Sequence, residues 1–481
     1  MEELSGLDAS FLYLETPKTP MHIGGVNVLE GSMKFEDFRQ FIQDRLHIVD
    51  KLTQKLVTLP LSLDRPYWVE DTDFDIDMHI HHRVLPKPGG WKELRRLASS
   101  LFSQQLNRER PLWEFIFVEG LDDIAQVPKG SVALISKVHH SGFDGKSGAD
   151  LMTMLYDISP TPRPVPPPPP KTVDIIPGSL GLLARGAYNL VTRNSKLPGL
   201  LWDTGKSTLK AGYTRVQGIE MPPLPVSAPK TRFNQIVEAD RLWNSTILDL
   251  SRVKALRKIV DGATLNDVIL AICAGALRRY LLEKNELPDE PLIAMVPVST
   301  RSDQEKETMG NQVSAMYIDL ATHVADPIKR LNKIHLSTLI GKLYQEAIDA
   351  RSLMGYAELI PFGLAGVASR FYSRAALAKR HKPFFNVVIT NVPGPQIPLY
   401  LAGHKLLANM GTAPIFDGMG LIMPICSYNG SISISPTSAA NLMPDLDLFN
   451  RYIRESANEL EAAVAKKQEN DAVIKKLLDQ D

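Results

Sequence analysis

Lys137-Val138-His139-His140-Ser141-Gly142-Phe143-Asp144-Gly145 is the stretch from which the rest of the chain can be read. Upstream, Val132 to Val138 is a mainly apolar run bounded by Pro128-Lys129-Gly130, which predicts a short buried strand. Downstream, Leu151, Met154 and Leu155 fall on one helical face, with Ser147 and Asp150 in a first turn that suits them. Strand, loop and helix in that order are a common mount for chemistry. Imidazole has a reference pKa of about 6.5, so much of it is neutral at working pH and able to take a proton from a hydroxyl or thiol. Asp144 can orient the ring or brace the loop through an arginine, and Gly145 permits a turn with positive φ. With 11 His and 31 Gly in 481 residues, H-H-x-x-x-D-G arises by chance on the order of once in a thousand such chains. The stretch therefore reads as an active-site loop rather than as two loop histidines beside an Asx turn.

H-H-x-x-x-D-G after a strand resembles the signature of acyltransferases related to chloramphenicol acetyltransferase and peptide-synthetase condensation domains. Across nearly its whole length the chain is similar to the bacterial wax ester synthase/diacylglycerol acyltransferase family. The resemblance is carried by Leu4-Ser5-Gly6-Leu7-Asp8-Ala9-Ser10-Phe11-Leu12, Thr19-Pro20-Met21-His22-Ile23-Gly24-Gly25, Pro111-Leu112-Trp113, Asn266-Asp267 and Thr390-Asn391-Val392-Pro393-Gly394-Pro395, in that order. It implies an α/β fold of mixed α+β type: two chloramphenicol-acetyltransferase-like domains with the active site at their interface. It also implies an O-acyltransferase that moves a fatty acyl group from acyl-CoA to a long-chain alcohol or diacylglycerol. His140 is then the general base, His139 and Asp144 hold the ring and loop, and Asn266 and Gly145 bind substrate. Asn266 would donate to the developing oxyanion or position the nucleophile, while Asp267 caps a helix. A thioester is already activated, so positioning, a base and oxyanion donors suffice, and neither metal nor cofactor is expected.

Composition sets outer bounds. Of the residues, 44% are hydrophobic and 22% charged, ordinary for a globular protein of two or three domains. Lys+Arg and Asp+Glu are both 54, which offers no global charge argument for a nucleic-acid partner. The two cysteines, Cys273 and Cys426, lie in apolar surroundings and read as reduced, buried thiols. The N-terminus lacks a signal-peptide pattern, and no uninterrupted apolar run is long enough for a membrane span. The expectation is a cytoplasmic protein, peripheral at most on the inner membrane or lipid inclusions.

Along the chain, residues 1–158 read as an N-terminal acyltransferase domain carrying the motif. Phe35, Phe38, Ile42 and Leu46 recur at helical spacing, as do Leu94, Leu97, Leu101 and Leu106, whereas Phe74 to His82 alternates like a strand. Pro111 to Val118 predicts a strand with Trp113 in the core. Residues 159–230 form a Pro-rich linker, with Pro166 to Pro170 stiffened by fixed φ, then an apolar and basic crossover from Ile175 to Arg215. Residues 231–481 read as a C-terminal acyltransferase-like domain. In it Leu265 to Leu277 is a helix, Ala294 to Arg301 a strand, Phe384 to Thr390 a strand entering a turn-rich loop at Asn391, and Asp445 to Val464 a helix before a loosely held charged tail.

Other readings compete. His79, His81 and His82 suggest a metal-dependent hydrolase, but no carboxylate or cysteine stands at a familiar ligand spacing, and exposed strand histidines are the simpler reading. A same-fold acyltransferase with a non-lipid acceptor, or a catalytically idle lipid or acyl-CoA-binding protein, also fits. Leu353 to Phe385 joins an apolar segment to Arg370, Arg374, Lys379, Arg380 and Lys382, a composition suited to an interfacial helix or to a site for CoA phosphates.

Overall fold

The computed structural model describes residues 2–58, 64–143, 145–168, 227–299, 313–347 and 382–478, with residues 181, 186, 188, 189 and 192 between them. The expected strand forms as Val132–His139 within a six-stranded sheet, in the order Tyr400–Leu401, His404–Thr412, His22–Leu29, Val132–His139, Trp113–Glu119, Ile80–Val84. Neighbours are antiparallel except the last pair, which is parallel. Its apolar run conceals a period of two, because both faces of the sheet are covered. Leu134 and Val138 enter a core with Phe38, Ile42, Trp113, Leu151 and Met154, while Ala133 and Ile135 enter another with Val26, Leu94, Ala98, Phe102 and Trp243. The helices Phe35–Gln43 and Gly145–Leu155 supply the first layer and Trp91–Phe102 the second.

The second half is built on an eight-stranded sheet whose main path runs Val313–Asp319, Ile293–Ser299, Val387–Pro393, Leu421–Tyr428, Ser431–Ile434, Thr246–Asp249. The helix Leu265–Glu283 is buried on nearly every side from Asp267 to Leu277, against the helices Pro327–Ala347 and Leu446–Leu478. Its start is a capping box: Thr264 Oγ1 accepts the Asp267 N–H at 3.3 Å, and the Thr264 N–H donates to Asp267 Oδ2 at 2.8 Å.

The two halves share main-chain bonds. His404–Thr412 pairs with His22–Leu29, setting Met410 opposite Val26 and Thr412 opposite Gly24. On its other side Gly24 faces Lys137 so closely that a Cβ there would lie 1.9 Å from the Ser136 carbonyl oxygen. Asp157 and Tyr400 exchange N–H···O bonds of 2.8 Å, fastening the chain before the proline run to the crossing strand.

Several expectations change. Residues 74–79 are not strand: Ile76–Met78 is a 3₁₀ turn, because Asp75 accepts the Asp77 N–H at 3.0 Å and offers the backbone a local alternative to a ladder. The strand begins only at Ile80. Asn391 to Pro393 continue the strand Val387–Pro393, since Leu421–Tyr428 runs alongside in parallel register as far as Ser427. The C-terminal helix extends to Leu478 through residues of high helix propensity, so the tail after Val464 is exposed yet helical. Gly145 is the first residue of its helix rather than part of the preceding turn. Cys273 is buried and Cys426 partly so, and burial pushes their thiols up to about 12 and about 11. Residues 353–381 and nearly all of 175–215 lie outside the described residues, as does Asp144.

Candidate active site

His139 ends the motif strand, opposite His22 in register and on the same face as Lys137. Its backbone N–H donates to the Leu112 carbonyl at 2.9 Å, so the Pro111-Leu112-Trp113 segment anchors the strand end. Trp113 itself is a core residue, wholly buried, its Nε1 donating to the Leu52 carbonyl at 2.8 Å. The His140 N–H donates to the Met21 carbonyl at 2.9 Å, and its ring lies flat on Phe11 with centroids 3.9 Å apart and planes 5° from parallel. The turn closes with the Gly142 N–H on the His139 carbonyl at 3.0 Å. Gly142 is packed by the Trp68 indole, which a Cβ would approach to 3.0 Å.

The adjacent imidazoles differ in environment. His139 is wholly buried, and its Nδ1 receives the Ser141 backbone N–H at 3.1 Å and the Ser141 hydroxyl at 2.7 Å. Nδ1 is therefore the acceptor, which places the ring proton on Nε2. That nitrogen points toward Glu15 Oε2, 3.6 Å away. His140 is only partly buried.

Glu15 is a residue that pattern reading missed. It sits at the C-terminus of the helix Gly6–Leu14, the end where a carboxylate opposes the helix dipole, and that misplaced charge was the available signal. Its side chain is buried, with Oε2 accepting from Arg108 and Oε1 accepting the Met21 N–H at 3.0 Å. Burial alone would raise the Glu15 pKa, but His139, Arg108 and the Met21 amide outweigh it and hold it at about 2. Beside it a pocket of about 480 Å³ is lined by Glu15 and residues 105–109. A larger cavity of about 1160 Å³, between Arg45, His47 and the proline segment Pro162–Pro168, is lined by neither motif histidine.

Further polar groups surround the strand end. Lys137 is buried, with its Nζ 3.1 Å from Glu114 Oε2; burial lowers its pKa against the opposing pull of Glu114. His22 is buried as well, and burial, reinforced by Lys137, keeps its pKa well below the ordinary value. From the second half, the Arg241 side chain donates to the Lys18 carbonyl, and its backbone N–H donates to Ser103 Oγ at 2.8 Å. The motif histidines thus lie where the halves meet.

Of the other sequence-derived candidates, Asn266 is joined to Asn391, whose Nδ2 donates to Asn266 Oδ1 at 3.3 Å. Asp267 caps its helix as expected and also holds His335 Nδ1 at 3.0 Å. His79 is not an exposed strand histidine: it is buried between Phe74 and Trp113, its Nδ1 2.9 Å from the Trp113 carbonyl. His82 pairs with Glu119 at 2.8 Å. Among the described residues no group of three His, Cys, Asp or Glu side chains is placed to hold a metal ion.

The profile of the wax ester synthase/diacylglycerol acyltransferase catalytic domain matches residues 4–269, and that of the corresponding C-terminal domain matches residues 309–461. A probable diacylglycerol O-acyltransferase of Mycobacterium tuberculosis is 33% identical over 480 residues, covering 95% of this chain and 98% of that protein. The O-acyltransferase WSD of Acinetobacter baylyi is 30% identical over 484 residues, covering 98% of this chain and 99% of that protein. The solved wax ester synthase/diacylglycerol acyltransferase from Marinobacter aquaeolei VT8 superposes with a TM-score of 0.70 at 28% identity, over 97% of this chain and 100% of that one. The first condensation domain of the CDA synthetase shares the fold alone, with a TM-score of 0.54 at 14% identity over 96% of this chain and 97% of that one.

Proposed function

The chain belongs to the wax ester synthase/diacylglycerol acyltransferase family, and from that premise we propose that it transfers a fatty acyl group from acyl-CoA to the hydroxyl of a long-chain alcohol or of diacylglycerol. His140 takes the hydroxyl proton as the oxygen attacks the thioester carbonyl. The tetrahedral oxyanion then collapses, the C–S bond breaks, and the imidazolium returns its proton to the departing CoA thiolate. The observation that carries this reading is the division of labour between neighbouring rings. His139 is buried with Nδ1 occupied by Ser141, whereas His140 is partly exposed, its ring set by Phe11 and its backbone by Met21. Asn266 is the oxyanion donor in this scheme: its carbonyl oxygen is engaged by Asn391, which turns its NH₂ to donation. Asp144 braces the loop, Gly145 offers close backbone approach to substrate, and no metal takes part.

No helix among the described residues is long and apolar enough to cross a membrane. The acceptors barely dissolve in water, which supports a cytoplasmic enzyme working peripherally at a membrane or lipid-inclusion surface through residues 353–385. The test is to incubate the protein, in EDTA, with palmitoyl-CoA and hexadecanol or diolein, with and without anionic vesicles. Wax ester or triacylglycerol is the expected product, formed faster on vesicles. Turnover with small alcohols or amines alone would point to a non-lipid acceptor, and binding of acyl-CoA without turnover to an idle binding protein.

A further inference from the structure

We infer that Glu15, held by Arg108, is the positioning residue that sets both motif histidines for the transfer reaction, a role resting on the acyl-transfer reading above. The carboxylate reaches the two rings by separate routes. Through Oε2 it faces the Nε2–H of His139 at 3.6 Å. That distance is too long for a full hydrogen bond yet within reach of a charge–dipole attraction, and the nitrogen is buried with no hydrogen-bond partner. Through Oε1 it accepts the Met21 N–H at 3.0 Å, and the carbonyl of that same Met21 accepts the His140 N–H at 2.9 Å. A third tie runs along the backbone, where the Glu15 N–H donates to the Phe11 carbonyl at 3.2 Å and the Phe11 ring carries the His140 ring.

Arg108 explains why the charge is tolerated there. Its guanidinium grips Glu15 Oε2, with Nε at 2.8 Å, and also donates to the Leu12 carbonyl at 2.7 Å, so one side chain clamps both the carboxylate and the end of the helix Gly6–Leu14. Arg108 is 43% exposed whereas Glu15 is 1% exposed, which makes the arginine the solvent-facing half of the clamp. Removing the carboxylate's charge acts directly on the buried ring. The Nε2–H of His139 loses its counterpart, which frees the ring to flip and lets Ser141 and the following loop shift.

The experiment compares Glu15→Gln, Glu15→Asp, Arg108→Gln and Arg108→Lys with the unaltered chain, by kcat and KM for palmitoyl-CoA with diolein, thermal melts and nitrogen NMR of the imidazoles. Glu15→Gln should lose about 10- to 100-fold in kcat with little change in KM, as expected for misplacement of a reacting group. Arg108→Gln should show a smaller loss of the same kind, with Arg108→Lys restoring most of it. In the unaltered chain His139 should carry its proton on Nε2, and Glu15→Gln should lose that single tautomer. A folded Glu15→Gln with unaltered kcat and the same single His139 tautomer overturns the inference. If Glu15→Gln does not fold, Arg108→Gln decides: a folded variant with the unaltered chain's turnover and His139 tautomer overturns it equally. Absence of turnover by the unaltered chain itself would count against the acyl-transfer reading, and the tautomer of His139 would still test the placement.

Discussion

Each half of the molecule buries a histidine against a carboxylate, and the two pairs do different things. In the first half, His139 and Glu15 stand 3.6 Å apart at the mouth of a loop, the acid clamped by a partly exposed arginine. In the second, His335 Nδ1 and Asp267 Oδ2 stand 3.0 Å apart, and the acid is already bonded to the N–H and hydroxyl of Thr264 at a helix start. Both carboxylates are depressed against the upward push of burial, Glu15 chiefly by His139 and Asp267 by the Thr264 amide and His335. A histidine–carboxylate pair is therefore not by itself a catalytic signature. What separates them is mounting: the first sits beside a reactive turn that carries a second imidazole, the second at a capping box, where Thr264 already ties the carboxylate to the helix start.

The comparison breaks most visibly by removing one ring from each half. His140→Ala should lose at least about 100-fold in turnover, the scale of a general base, while melting near the unaltered temperature. His335→Ala should melt lower and keep its turnover per folded molecule. His139→Ala should show both effects: a lower melt and, with the ring that faces Glu15 gone, a loss of turnover per folded molecule smaller than that of His140→Ala. Equal turnover of His140→Ala and the unaltered chain would end the assignment of the base.

Much of this contrast was legible beforehand, and the remainder was hidden for physical reasons. The motif strand, the helices near Phe35 and Trp91, the core role of Trp113 and the capping role of Asp267 all follow from local periodicity and cap chemistry, which the sequence carries directly. Pairing between distant strands is not local, so nothing in His404–Thr412 announced that it would join a sheet built mostly from the first 140 residues. The 3₁₀ turn at Ile76 was masked by an alternating pattern that Asp75 overrides through one side-chain bond. Glu15 escaped because its partners, Met21, Arg108 and His139, are brought together only by the fold.

A middle-sized effect separates the carboxylates by acid titration. The Glu15 pKa falls from 4.5 to about 2 on folding, equivalent to about 3 kcal/mol at order of magnitude. Because the folded pKa is the lower one, this stabilisation is fully present above about pH 4.5 and is lost as pH falls toward 2. Melting temperatures of the unaltered chain and Glu15→Gln should therefore differ most near neutrality and converge on acidification. A gap that stays constant down to pH 3 would mean that the carboxylate is not ionised in the fold.

The smallest expected effect tests whether the second pair is purely structural. Thr264→Ala removes the hydroxyl that accepts the Asp267 N–H at 3.3 Å and donates to Asp267 Oδ2 at 2.9 Å, but leaves the Thr264 backbone N–H and His335 still bonded to the carboxylate. Loss of such a cap costs about 1 kcal/mol, which lowers the melting temperature of a domain of this size by about 2–4 °C. Asp267 keeps two of its bonds and its charge, so the helix start stays in place and Asn266, one residue earlier, keeps its contact with Asn391. Turnover should then be unchanged at temperatures well below the melt. The opposite pattern, an unaltered melt with a clear fall in kcat, would show that the Thr264 hydroxyl reaches the chemistry through Asn266. In that case the second half's histidine–carboxylate pair would belong with the first half's, and the distinction between a cap and a clamp would fail.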